Sequence, residues 1–129
     1  MGIDNFEELK AWQEARTLAN TIYKITAIGS FSKDFGLRDQ IRRASASTML
    51  NIAEGFDSSS DQQFIQFLSY ALRSCSEIQA ILYVSLDNNY ISHPEFKHLH
   101  EKAKVIRKMC SGLIRYLKKT GDRRLVTGD

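Results

Sequence analysis

The side chains in this chain with the types and spacings for chemistry are few. Two carboxylates stand out, Glu54 and Glu77, because each sits among residues otherwise poor in charge. General acid or base work needs a second acid, base or nucleophile within reach, and none is spaced to assist either one. Glu77 therefore reads as a paired or capped structural carboxylate. Glu54 falls in the last turn of a helical pattern, where an acid opposes the helix dipole. Its compensation is expected from the amides that open the next helix. The histidines do not make a metal centre. His98 and His100 are two apart, so they leave a helix on different sides, and His93 belongs to a capping turn. There is no Glu-x-x-His pair of the kind that builds di-metal sites in helical bundles. Cys75 and Cys110 fall in apolar seams, where a thiol acts as a small apolar group, and no basic partner in sequence marks either as a nucleophile. No catalytic residue, metal or cofactor is expected.

The basic residues offer more. Arg38 and Arg42 are one helical turn apart and share a face, as do Asp39 and Arg43, which are expected to pair. Lys97, Lys104, Lys108 and Arg115 follow at steps of seven, four and seven along one side of a helix. At the helical rise this strip spans about 27 Å. Between Lys97 and Arg124 there are ten Lys or Arg against two acids, Glu101 and Asp122, a local balance of +8 in a chain whose net charge is +3. The remainder carries −5. Such asymmetry suits an anionic partner, RNA or DNA, held through phosphates in a sequence-tolerant and salt-sensitive way. The aromatic residues fall mostly at core positions, so a platform for stacking bases is not expected.

The elements that must position these groups are helices. Leu9, Trp12, Ala15, Leu18, Ala19, Ile22 and Ile25 mark one buried face, with Asp4 or Asn5 as its cap and Glu7 and Glu8 at the positive end. A connection over residues 28–35 carries Phe31 and Phe35, both expected to fold down over the core, with Ser32 capping a single turn. A second helix over Leu37–Gly55 buries Leu37, Ile41, Ala44, Thr48 and Ile52, and Gly55 is expected to end it in a left-handed conformation. The third helix starts at Ser59 or Ser60 and runs to about Asn88, with a heptad seam at Phe64, Leu68, Ala71, Cys75, Ile78 and Leu82. Beside that seam lie Ile65, Phe67, Leu72, Ile81 and Leu86, an apolar surplus expected to meet another subunit. Ser92 and Glu95 form a capping box with Pro94 in the first turn. The fourth helix follows with Phe96, Leu99, Ala103, Ile106, Cys110, Leu113 and Leu117, and Gly121 as its stop.

Four helices with short links predict an all-α protein, an antiparallel up-down-up-down four-helix bundle. The reading is one domain over residues 1–121 and a frayed tail over 122–129. The chain has one Pro, seven Gly and 43% hydrophobic residues, and no apolar run near the roughly 18 residues of a membrane span. No signal peptide opens it, and two seam cysteines suit a reducing compartment, so a cytoplasmic location is expected.

Several of these stretches also carry a family resemblance. Leu9–Ala15, Ile22–Thr26, Gly36-Leu37, Gln40–Ala44, Asn51–Gly55, Phe67-Leu68, Ser76–Ile78 and Tyr90-Ile91 resemble the bacterial proteins encoded within intervening sequences of 23S ribosomal RNA genes. The pairing of Gln-Ile-Arg-Arg-Ala with Asn-Ile-Ala-Glu-Gly is the most specific part; Asn51, Glu54 and Gly55 of that pairing and Glu77 of Ser76–Ile78 are marked as motif residues. The resemblance implies an antiparallel bundle assembled into a ring, typically a homopentamer, with no established enzymatic activity and a suspected nucleic-acid role. The chain is also similar to accessory proteins of diversity-generating retroelements. It departs from the pattern at Phe56-Asp57-Ser58, where basic residues are usual, at Arg73 in place of a small residue, and at Phe31-Ser32 in place of Phe-Pro. The expected function is a non-catalytic oligomeric RNA- or DNA-binding protein. The alternative is a protein-interaction scaffold without a nucleic-acid ligand.

Overall fold

The structure, a computed structural model, describes residues 2–120. Gly121 and the tail over 122–129 lie outside the described residues. The described chain folds into four long helices, α1 (Lys10–Ile25), α2 (Phe35–Asp57), α3 (Asp61–Asp87) and α4 (His93–Thr120), with short 3-10 turns at Phe6–Glu8 and Ser30–Lys33. No strand occurs among the described residues. Each helix packs on its neighbour in the chain, and α1 closes the circuit against α4.

Local chemistry sets the helix ends. The expected cap at Asn5 does start a turn, with Glu8 accepting from the Asn5 amide at 3.0 Å, but that turn is 3-10. α1 itself begins after Leu9, whose extended backbone breaks the run. Ser32 does not cap; its hydroxyl donates to the Gly29 carbonyl at 2.6 Å. The cap of α2 is Asp34, which accepts from the Leu37 amide at 3.1 Å, so the helix starts at Phe35 rather than Leu37. Ser60 caps α3 by accepting from the Gln63 amide at 3.1 Å. The capping box at α4 closes both ways, Ser92 amide to Glu95 at 2.8 Å and Glu95 amide to Ser92 hydroxyl at 3.2 Å.

Gly55 is not the left-handed stop. α2 continues through it to Asp57, and among the described residues the glycine with positive φ is Gly29, at 62°. Gly55 serves close approach instead. A β-carbon there would stand 2.8 Å from Phe64 Cδ1 and 2.9 Å from Phe67 Cβ. The start of α3 thus rests directly on the backbone at the end of α2.

The heptad seam of α3 is fully buried, and Ile41, Ile52, Leu99, Ala103, Ile106 and Cys110 join it in the core. Trp12, Ile25, Leu37, Phe96 and Leu113 are partly buried around this core. The apolar surplus on α3 is largely absorbed by the chain itself. Ile81 is 4% exposed, and Ile65, Leu72 and Leu86 pack partly buried against the core. A helix flanked on both sides by helices needs apolar residues over a wide arc, so a second stripe does not by itself require a second subunit. Of the two link aromatics only Phe31 is buried. Its ring stacks on Tyr90 at 5.2 Å, while Phe35 is 64% exposed.

Candidate nucleic-acid interface

α4 carries its cations on the side away from the core because its buried residues take the opposite face. Leu99, Ala103, Ile106 and Cys110 are buried, and Lys97, Lys104, Lys108 and Arg115 are all exposed. The strip divides between two grooves. Lys104, Lys108 and Arg115 line one shallow groove of about 540 Å³ together with Arg107 and Ser111, and no acid is among its lining residues. Lys97 lines a different groove with His98, Glu101, Lys102, Val105 and Glu14 of α1. There the positive charge is countered. Lys102 Nζ lies 3.3 Å from Glu14 Oε1, an ion pair that ties α1 to α4.

Sequence spacing does not single out Arg107, because it lies off the outward strip, toward α3. Its Nη1 donates to Gln79 Oε1 at 3.0 Å, and the Gln79 amide donates in turn to the His100 carbonyl at 3.4 Å. The buried Nε of Arg107 has no acceptor among the described residues. The guanidinium is therefore held in place at one nitrogen while the fold leaves donor capacity unused.

Two of the three arginines of α2, Arg38 and Arg42, are engaged within the chain. Arg42 donates from Nε to Thr26 Oγ1 at 2.8 Å and from Nη2 to the Tyr23 carbonyl at 3.2 Å, and it stacks on the Tyr23 ring at 4.8 Å. It closes the C-terminal end of α1, where a cation also meets the negative end of the dipole. Arg38 donates to the Ser32 carbonyl at 3.1 Å and lies over the Phe35 ring at 4.9 Å. It also takes Asp39, at 3.0 Å, so the expected Asp39–Arg43 pair is replaced by one between adjacent residues. Both arginines are thus committed to the link between α1 and α2, apart from the α4 groove.

The motif residues resolve into separate structural roles. Glu77 accepts from Gln40 Nε2 at 3.2 Å, a link between α3 and α2 at the surface. Asn51 donates to the Ser47 carbonyl and hydroxyl at 2.8 and 3.0 Å, and Ser47 meets Ser74 across the helix pair at 3.1 Å. Glu54 is exposed and does not take the amides that open α3. The Gln63 amide donates instead to Ser60, and the Ser59 amide in the link donates to the Gln63 side chain, at 3.1 and 3.0 Å. Burial pushes the Cys75 thiol up from its ordinary value of 9.0 to about 11, against smaller lowering by Thr48 and Arg107. Burial, with Cys75 nearby, also raises Cys110. Both thiols are free, and a protonated thiol is a weak nucleophile. No helix among the described residues is long and apolar enough to cross a membrane.

Against this geometry, comparison with protein families matches the chain over residues 7–112 to the 23S rRNA-intervening sequence protein family. The chain belongs to this family. The matched range takes in α1, α2, α3 and most of α4, with the groove cations Lys104, Arg107 and Lys108 included. Among solved structures, this family member is similar to a protein of unknown function from the S23 ribosomal protein family of Bacteroides thetaiotaomicron VPI-5482, a crystal structure at 1.70 Å resolution. The two share 24% identity and a TM-score of 0.75, covering 81% of this chain and 98% of the other. At that identity the likeness is one of fold. A search of curated proteins finds no match.

Proposed function

We propose that this 23S rRNA-intervening sequence protein is a non-catalytic, cytoplasmic, homo-oligomeric protein that binds RNA or DNA through α4. The observation that carries the reading is the convergence of Lys104, Arg107, Lys108 and Arg115 on one acid-free groove. Four cations on a short surface neutralise neighbouring phosphates, and each counterion released adds to affinity. The chain acts as one antiparallel up-down-up-down bundle, a reading supported by contacts that run in opposite senses. Gly55 of α2 meets Phe64 of α3, whereas Gln40, early in α2, meets Glu77, late in α3. The family resemblance implies a pentameric ring, and a ring repeats the groove so that weak contacts add.

The test is binding of RNA and duplex DNA at several salt concentrations, for the parent and for a variant with Lys97, Lys104, Lys108 and Arg115 all replaced by Gln. Affinity is expected to fall steeply with salt, and the variant to bind far more weakly. Its salt slope should flatten by about 0.7–0.9 for each phosphate that is no longer neutralised. A parent that binds nothing at low salt, or a variant that binds as well, would leave the α4 strip a solvated face. The scaffold reading would then stand in its place.

A further inference from the structure

Beyond the cations of the groove the surface is aromatic. On the same flank of α4, one and two turns before Lys104, stand His100 and Phe96, and Tyr83 of α3 completes an aromatic cluster with them. The Tyr83 ring lies 4.8 Å from Phe96 and 5.5 Å from His100, edge-on to both, and Phe96 and His100 are 5.3 Å apart. Tyr83 is 51% exposed, so much of its ring is open to solvent rather than spent in the core. Gln79 joins the two halves of this surface. One end of its amide donates to the His100 carbonyl and the other accepts from Arg107, so aromatic cluster and cationic groove are held in register. His100 and Arg107 are separated by about 10 Å along the helix.

We propose that this surface takes single-stranded nucleic acid, an unpaired base stacking on Tyr83 beside His100 while its backbone phosphates run into the groove at Lys104, Arg107, Lys108 and Arg115. The proposal rests on the phosphate-binding reading above and adds a preference that cations alone do not supply. Phosphate contacts are made equally well to duplexes. A base face can reach an aromatic ring only where it is not already stacked between its neighbours. Arg107, which lines the groove, and the exposed ring of Tyr83 lie on the same flank, one suited to a phosphate oxygen and the other to a base.

The experiment compares labelled oligouridylate, oligothymidylate and a mixed-sequence duplex by fluorescence anisotropy across a salt series, for the parent, Tyr83→Leu and Tyr83→Phe. The single strands are expected to bind more tightly than the duplex. Tyr83→Leu is expected to weaken single-strand binding roughly tenfold, leaving duplex affinity and the salt slope unchanged, because stacking releases no counterions. Tyr83→Phe keeps the ring and is expected to bind like the parent. Tighter binding of either single strand than of the duplex supports the proposal. Single strands bound no more tightly than duplex, or unaffected by Tyr83→Leu, overturn the stacking surface while the phosphate groove stands. A parent that binds none of the three at low salt overturns the groove as well.

Discussion

At position 55 a single missing methyl group decides how two helices meet. Phe64 and Phe67 occupy the space a β-carbon would need, and Phe67 Cβ, at 2.9 Å, is too near its own backbone to move cheaply. Gly55→Ala is therefore expected to destabilise the protein by about 1–3 kcal/mol, despite alanine's higher helix propensity, as read by denaturant midpoint. Cys75 makes a different residue-scale prediction. In the folded protein its pKa is raised from 9.0 to about 11 by burial. Between those values the unfolded thiol ionises while the folded one stays protonated, so the unfolded state is favoured as pH rises. Stability attributable to Cys75 is fully present below pH 9, and roughly 2 kcal/mol is lost by about pH 11. Comparing the parent with Cys75→Ala in urea melts from about pH 8 upward isolates this part, since the variant is expected to lose stability less steeply.

Elements are tied together at one end of the molecule through Asp34. One carboxylate oxygen caps α2 by accepting from Leu37, and the other accepts from the Tyr90 hydroxyl at 2.9 Å. Tyr90 in turn stacks on Phe31, so the link between α1 and α2 is pinned to the link between α3 and α4. Asp34→Ala removes a cap and a cross-link together and is expected to cost more than Tyr90→Phe. The cap alone is worth about 1 kcal/mol. A double-mutant cycle of the two is expected to show coupling of about 0.5–1.5 kcal/mol, the size of one hydrogen bond. Arg42 holds the other side of the same link by closing the end of α1 on Thr26 and Tyr23.

For the whole molecule, the case for self-association moves from the second stripe of α3 to other exposed groups. Ile65, Leu72, Ile81 and Leu86 are absorbed by the bundle, whereas Ile28, Phe35 and Leu50 remain 69%, 64% and 57% exposed, and Val84 of α3 45%. A homo-oligomer is expected, and light scattering at micromolar concentration should report a multiple of the single-chain mass. A stable monomer there would exclude the ring. Oligomerisation would also bring many copies of the α4 groove onto one particle, giving a steeper dependence of binding on RNA length than a monomer shows.

The four helices, their buried faces, and the caps at Ser60 and Ser92 were legible from sequence, because periodicity and capping are local properties carried by neighbouring residues. The specific Gln40–Ala44 and Asn51–Gly55 stretches likewise disclosed the family before any packing was known. Gly55 could not be assigned from sequence, since a helix stop and a close contact with Phe64 call for the same residue. Nor could the fates of the basic residues be told apart. Arg42 and Lys108 look alike in a sequence, but only packing puts Thr26 beside one and open solvent beside the other. Tyr83 was hidden for the same reason. Its place beside Phe96 and His100, and the path from there to Arg107, exist only where α3 and α4 lie side by side. Local order is written in the spacing of residues along one helix, whereas a surface shared by two helices is decided when they pack.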